Sequence, residues 1–384
     1  MKGQSSASIY LDYAAATPLL DEVLEEMKPY LADRFYNPSS IYLKSKEIKD
    51  AIKEARAQVA RVLNVKPKEI IFTAGGSEAN NLAIKGIMDR FKNHNLIVSA
   101  IEHDSILKPA LNYNAKICPV NGDGLIDLSQ LLGLIDDQTV LISVMYANNE
   151  IGTIEPLLKV AEIIKEVKTN RLKRGIATPL YLHSDACQAP NYLSLSAPKL
   201  GLDLMTLNGC KIYGPKQSAI LYVKSNLQIK PLIEGGGQEF GLRSGTEDTA
   251  SIIGFAKALA IAQRDSKEES KRLSQLRDFF IKEVLKISPQ ISLNGSLKNR
   301  LANNINILIK NVDNETLIMK LDNCGVMIAS GSACNASSDV PSHVLKAIGL
   351  SGQDVRSSLR ITLGRFTTKE DLKNTLGYFQ QNLT

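Results

Sequence analysis

Short apolar runs recur through the first two thirds of the chain, each ending in a polar turn and alternating with longer stretches of helical spacing. The runs Glu69–Thr73, Leu96–Ala100, Val140–Met145, Leu180–Ser184, Leu202–Leu207 and Ala219–Val223 have the length of strands. Ile48–Leu63, Glu78–Arg90 and Leu157–Arg171 carry the helical pattern. This alternation predicts a mostly parallel sheet covered by helices. Over Ser251–Val284 the Ala- and Leu-rich spacing predicts one long helical stretch, crossed by the charged segment Arg264–Arg272, leading out of the sheet. The remainder, to Thr384, reads as a smaller α+β unit. No internal repeat and no low-complexity tract is visible.

Ligands of open α/β sheets bind at the carboxyl ends of the strands, and the polar residues of this chain gather there. Gly75-Gly76-Ser77 follows the first run, His103 the second, Asn148-Asn149 the third, Asp185 and Gln188 the fourth, and Lys211 the fifth. Each has an ordinary reading beside a chemical one. The Gly75-Gly76-Ser77 junction offers free N–H groups and a helix dipole to a phosphate, or is a simple N-cap. Asp185 suits a protonated ring nitrogen, or caps a helix. His103 is able to stack on an aromatic ring or move a proton, or is structural. Arg360, between apolar neighbours, suits a carboxylate or a structural ion pair. Gly235–Thr246 is a glycine-rich polar segment that contacts phosphate, bridges subunits or merely connects.

Two residues invite covalent chemistry. Lys211 lies in Asn208-Gly209-Cys210-Lys211-Ile212-Tyr213-Gly214-Pro215-Lys216, nearer the strand end than Lys216, which is expected to face solvent. Cys334 lies among Ser330, Gly331, Ser332 and Asn335-Ala336-Ser337-Ser338, where a thiol is expected to be reachable. The bland alternatives are a surface lysine and a small core residue. An amine able to form a Schiff base, together with a reachable thiol, points to a pyridoxal-phosphate enzyme that handles sulfur.

Bulk composition narrows the setting. The 384 residues are 44% hydrophobic and 22% charged, as expected of a globular chain of about two domains. A net charge of +6 without Lys/Arg runs, and without Trp, gives no support for direct nucleic-acid binding. No apolar stretch is long enough to span a membrane, and Met1–Ser8 lacks a signal core, so a cytoplasmic protein is expected. Five cysteines at irregular spacing without C-x-x-C, and four isolated histidines, predict neither a disulfide framework nor a metal site. Cys118 and Cys324 read as core residues.

In order along the chain, Tyr10-Leu11-Asp12-Tyr13-Ala14-Ala15-Ala16-Thr17-Pro18, Asn37-Pro38-Ser39-Ser40, Ile71–Ile84, Glu102-His103, Asn148–Gly152, Asp185–Gln188, Lys211–Lys216, Gly235–Thr246, Ser330–Leu345 and Leu359–Thr368 closely resemble the cysteine desulfurases, the NifS/IscS-like branch of the class V aminotransferase superfamily. The resemblance spans about Ile9 to Leu372. It implies the type I pyridoxal-phosphate transferase fold: a large, mostly parallel sheet domain with helices on both faces, over residues 14–262, and a smaller α+β domain from 1–13 and 263–384 carrying Cys334. It implies pyridoxal 5'-phosphate as cofactor, no metal, and a homodimer with composite sites. By resemblance, Lys211 holds the cofactor, Asp185 its ring nitrogen and Gln188 its hydroxyl, while His103 stacks on the ring and takes part in catalysis. Gly76, Ser77, Asn208 and Cys210 lie around the phosphate, with Thr246 from the other subunit. Asn37, Asn149 and Arg360 hold substrate carboxylate and cofactor.

The implied reaction removes sulfur from L-cysteine, leaving L-alanine and a Cys334 persulfide. The sulfur passes to an acceptor protein, an iron–sulfur scaffold or a tRNA-thiolation enzyme. The Ala333–Val344 stretch resembles the class in which a long loop carries the sulfur. The alternatives are a related lyase, such as a selenocysteine lyase, and a non-catalytic scaffold of the sulfur pathway. Five positions depart from the family pattern: Cys210 for His, Asn208 for Ser or Thr, Phe240 for Arg, Tyr42 for His and Gln217 for Gly. The chain also ends soon after its last helical stretch, without the tail through which many relatives dock an iron–sulfur scaffold.

Overall fold

The computed structural model of the chain describes residues 8–331 and 341–383. In chain order its strands are β1 (Ile9–Tyr10), β2 (Ile70–Thr73), β3 (Asn95–Ser99), β4 (Asn114–Cys118), β5 (Thr139–Ser143), β6 (Tyr181–Asp185), β7 (Leu204–Asn208) and β8 (Ala219–Val223). They are followed by β9 (Ile291–Leu293), β10 (Asn304–Ile309), β11 (Val326–Met327) and β12 (Ser358–Thr362).

The central sheet has the order β2-β8-β7-β6-β5-β3-β4. Strands β3 to β7 are parallel to their neighbours within that set. Strand β8 runs antiparallel to both β7 and β2. Successive residues of each strand feed opposite apolar layers. Phe72, Ile97, Ile142, Met205 and Ile220 join one cluster, and Ile71, Val98, Leu141, Leu204 and Leu221 the other. Burial on both faces explains why these strands read as continuous apolar runs rather than alternating ones. The chain moves from β3 outward to β4, then back past β3 to β5. That reversal makes a switch point where the carboxyl ends of β3 and β5 diverge, the place where an open sheet leaves a crevice.

The Thr249–Val284 helix is continuous through the charged segment. Its first half, Ala250–Ala262, packs on the large sheet. Its second half, from Leu273 to Val284, packs with Ile9, Leu11, Ile305, Ile307, Leu359 and Phe379. This second layer holds the antiparallel sheet β12-β10-β9 and the parallel pair β1-β11. The six predicted strands are present to within a residue or two at each end. The edge strand β4 was not anticipated. Among the described residues no helix is long and apolar enough to cross a membrane.

Candidate active site

The carboxyl ends of β2, β3, β5, β6 and β7 converge on one cavity. Gly76, Ser77, His103, Asn149, Asp185, Gln188, Asn208, Lys211 and Arg360 all line it, beside Cys187 and two residues to which the sequence gives no role, Asn80 and Ser105. Asn80 lies inside the Ile71–Ile84 stretch and Cys187 inside Asp185–Gln188, but neither they nor Ser105 acquire a role except through neighbours brought in by the fold.

Lys211 ends a short helical turn, Gly209–Lys211, directly after β7, and the Asn208 side chain caps that turn by accepting from Cys210 N at 3.2 Å. Gly209 is required there, because a Cβ would fall 2.1 Å from Ser218 Oγ. The Lys211 ammonium donates to Ala14 O and Ala15 O, and Gln188 Nε2 also donates to Ala14 O. These neutral carbonyls hold the amine in the cavity, with no acidic side chain paired to it among the described residues. Lys216 is exposed. Gln217 has φ 56°, the left-handed region that favours glycine, which accounts for the usual Gly at that position.

Asp185, the last residue of β6, is 7% exposed. It accepts from Asn80 Nδ2 at 2.7 Å and Cys187 N at 3.0 Å, both neutral donors. His183, two residues earlier, is neutral, since burial pushes its imidazole down to about 4. Burial, and next the Asp185 charge, push the Glu102 carboxyl well above the usual range. Asp185 thus takes only neutral hydrogen-bond donors from the described residues, a setting that fits a cationic ring nitrogen. His103 caps the Asp104–Ala110 helix through Nδ1, which accepts from Ser105 N at 3.1 Å.

The Gly76–Met88 helix points its N-terminus at the cavity. A Cβ at Gly76 would stand 3.1 Å from Asn208 Nδ2 and 3.2 Å from Cys187 Sγ. The missing side chain leaves free first-turn N–H groups approachable by phosphate oxygens. Glu78 in that turn is held away by Ala74 N and Arg243 Nε.

Arg360 on β12 is 1% exposed. It pairs with Asp12 at 2.6 Å and reaches Asn149 O at 3.4 Å, while its Nε has no partner among the described residues. The residue lines the cavity, where its guanidinium suits a carboxylate. Asn148 shapes the adjoining loop by accepting from Glu150 N and Ile151 N and donating to Ile101 O.

The remaining predicted residues lie elsewhere. Cys210 is half-buried behind Lys211, its carbonyl bonded to Thr17, and does not line the cavity. Thr246 is exposed in a neighbouring cavity with Thr73, Arg243 and Glu239. Asn37 is exposed and accepts from Ser39 N. Phe240 stacks 5.0 Å from the Arg56 guanidinium, which gives a reason for an aromatic residue at that departure. Cys334 lies outside the described residues. On either side of the undescribed stretch, Gly331 and Ser342 both approach Glu150, whose carboxylate accepts from Ser342 Oγ at 2.6 Å.

Pyridoxal phosphate fits this donor set: an amine, an isolated carboxylate, an imidazole, a side-chain amide and a glycine-opened helix N-terminus converge on one space. Known proteins agree. The class-V aminotransferase family model matches residues 9–375. The chain is 43% identical to a protein of Dictyoglomus turgidum named cysteine desulfurase IscS, over 97% of this chain and 94% of that one. A solved structure described as a NifS-like protein superposes with a TM-score of 0.90 at 31% identity, covering 98% of this chain and 99% of that one. The NifS-like protein from Rickettsia africae superposes at 0.87 with 32% identity, covering 97% and 99%.

Proposed function

The chain belongs to the class-V aminotransferase family, and from that premise we infer that it is a cysteine desulfurase dependent on pyridoxal phosphate, acting on L-cysteine. The observation that carries the reading is the meeting of Lys211, Asp185 and Arg360 in one cavity at the sheet's switch point.

Each residue has a task its surroundings suit. Lys211 would anchor the cofactor through Nζ and, when free, take the proton from the substrate α-carbon. Asp185 would hold the ring nitrogen as a cation, Gln188 and His103 would meet the ring, and Gly76, Ser77 and Asn208 the phosphate. Arg360 and Asn149 would orient the substrate carboxylate. The bound cofactor supplies an electron sink for the carbanion formed at the α-carbon. In the net step the Cys334 thiol takes the sulfur of L-cysteine. One C–S bond breaks, one S–S bond forms, and L-alanine leaves with the hydrogens of the two thiols redistributed between product and persulfide. The persulfide sulfur then passes to an acceptor, for which iron–sulfur assembly or tRNA thiolation is the proposed destination.

Two further features complete the proposal. The exposed positions of Asn37 and Thr246 support a homodimer in which these residues reach the partner's cavity. The separate apolar layers support a division into residues 14–262 and 1–13 with 263–384. Purified, cofactor-loaded protein should release one alanine per sulfur delivered to a thiol reductant. Loaded protein that binds L-cysteine and yields no alanine would overturn the reading.

A further inference from the structure

We propose that Asn80 is a positioning residue that couples Asp185 to His103 through a directional hydrogen-bond chain. The proposal rests on the reading of this cavity as a pyridoxal-phosphate site. Asn80 is 1% exposed and lies in the second turn of the Gly76–Met88 helix, facing the cavity. Asparagine is a poor choice for a helix interior, so helix formation does not explain it.

The Asn80 amide nitrogen carries two hydrogens, and two acceptors meet them: Asp185 Oδ2 at 2.7 Å and Ser105 Oγ at 2.8 Å. Ser105 Oγ lies 2.8 Å from His103 Nδ1, which also accepts from Ser105 N. A ring nitrogen that accepts a backbone N–H holds no hydrogen itself. The assignment that agrees with this backbone contact has the Ser105 hydroxyl, one of whose two lone pairs faces Asn80, giving its hydrogen to Nδ1. With Nδ1 accepting, the imidazole has its hydrogen on Nε2. The amide cannot be turned over, because Oδ1 would face the Asp185 carboxylate. In the orientation present, Oδ1 is buried without a partner among the described residues. One bond is forgone while both hydrogens are committed.

The amide thus does two jobs at once. It donates to the Asp185 carboxylate, and it orients the Ser105 hydroxyl that meets His103 Nδ1. Asp185 is the last residue of β6 and His103 follows β3, so no single element could tie them.

The test compares wild-type holoenzyme with Asn80→Ala and Ser105→Ala. Four readouts are the pH midpoint of the bound cofactor's visible absorbance band, cofactor loss on dialysis, thermal unfolding, and kcat against KM for L-cysteine. Removing a hydrogen bond to a charged group should lower kcat roughly tenfold or more in Asn80→Ala. KM should stay within about threefold, since the hydrogen-bond partners of Asn80 are Asp185 and Ser105 and not Arg360 or Asn149, and the pH midpoint should move. Ser105→Ala should lower kcat and leave the midpoint closer to wild type, because the Asn80–Asp185 bond remains. An unchanged midpoint and kcat within about twofold in both folded variants would overturn the proposal. Should Asn80→Ala fail to fold, Ser105→Ala decides alone, and wild-type kcat there removes the chain to His103. A wild type that shows the absorbance band and yields no alanine would instead count against the desulfurase reading, with the midpoint comparison still valid.

Discussion

Replacing Glu239 with alanine should be among the most damaging single changes outside the cavity. Glu239 is 6% exposed and accepts from Arg56 Nη1 at 2.7 Å, Arg56 Nη2 at 2.6 Å and Phe72 N at 2.8 Å. Phe72 lies on β2, the sheet's edge, so the carboxylate satisfies a strand N–H that has no next strand to meet. The pair also holds a turn in which Glu239 and Phe240 both have positive φ, 47° and 59°. Each such residue costs on the order of 1–3 kcal/mol unless its surroundings enforce it. Glu239→Ala leaves the Arg56 charge buried, a change worth about 3–5 kcal/mol for a broken buried pair. The double replacement Arg56→Met/Glu239→Leu removes both charges and should cost less, chiefly about 1–3 kcal/mol for the stranded Phe72 N–H. Urea unfolding followed by far-ultraviolet circular dichroism gives both values. A loss below about 1 kcal/mol for Glu239→Ala would place the pair with exposed ion pairs and refute the reasoning. So would a double variant weaker than the single one.

Other consequences can be measured alongside. Burial raises the Glu155 carboxyl from 4.5 to about 8, so the folded chain holds a proton there that the unfolded chain releases. Stability should therefore fall as pH rises across that window, and Glu155→Gln should flatten the fall in unfolding measured from pH 5 to 8. His183 is depressed from 6.5 to about 4 and contributes the opposite slope between those values, so the difference between variant and wild type is the quantity to read. Gln217→Gly should stabilise by up to about 1 kcal/mol in the same unfolding assay, since an exposed residue would leave the left-handed region to glycine. Arg360→Lys keeps a positive charge for Asp12 but loses the planar guanidinium that suits a carboxylate. KM for L-cysteine should rise roughly tenfold or more with little change in the melting temperature.

Much of this fold can be read from the chain because the central strands are buried on both faces, leaving runs such as Val140–Met145 apolar but for Ser143. The edge strand Asn-Ala-Lys-Ile-Cys, residues 114–118, is only partly buried and carries no such mark. The Asn-Ile-Asn-Ile-Leu-Ile strand at 304–309 was equally opaque. Asn304 and Asn306 are buried, and both donate to Glu150 O from a segment far along the chain. The cavity residues at strand ends were legible through position and motif. Asn80 was not, because its meaning lies in Ser105 and Asp185, which are 25 and 105 residues away. The glycine-rich Gly235–Thr246 segment showed its composition but not the Arg56–Glu239 pair that shapes it. That pair joins a helix to a loop 183 residues later.

The most direct test of the account is intact-mass analysis of cofactor-loaded protein after a single exposure to L-cysteine, with alanine quantified in the same sample, for wild type and Cys334→Ala. Wild type should gain the mass of one sulfur atom, mapped to the peptide containing Cys334, with one alanine formed per sulfur gained, and Cys334→Ala should show neither. Alanine formation at the wild-type rate in Cys334→Ala, or a sulfur mapped to Cys187 or Cys210 instead, would contradict it.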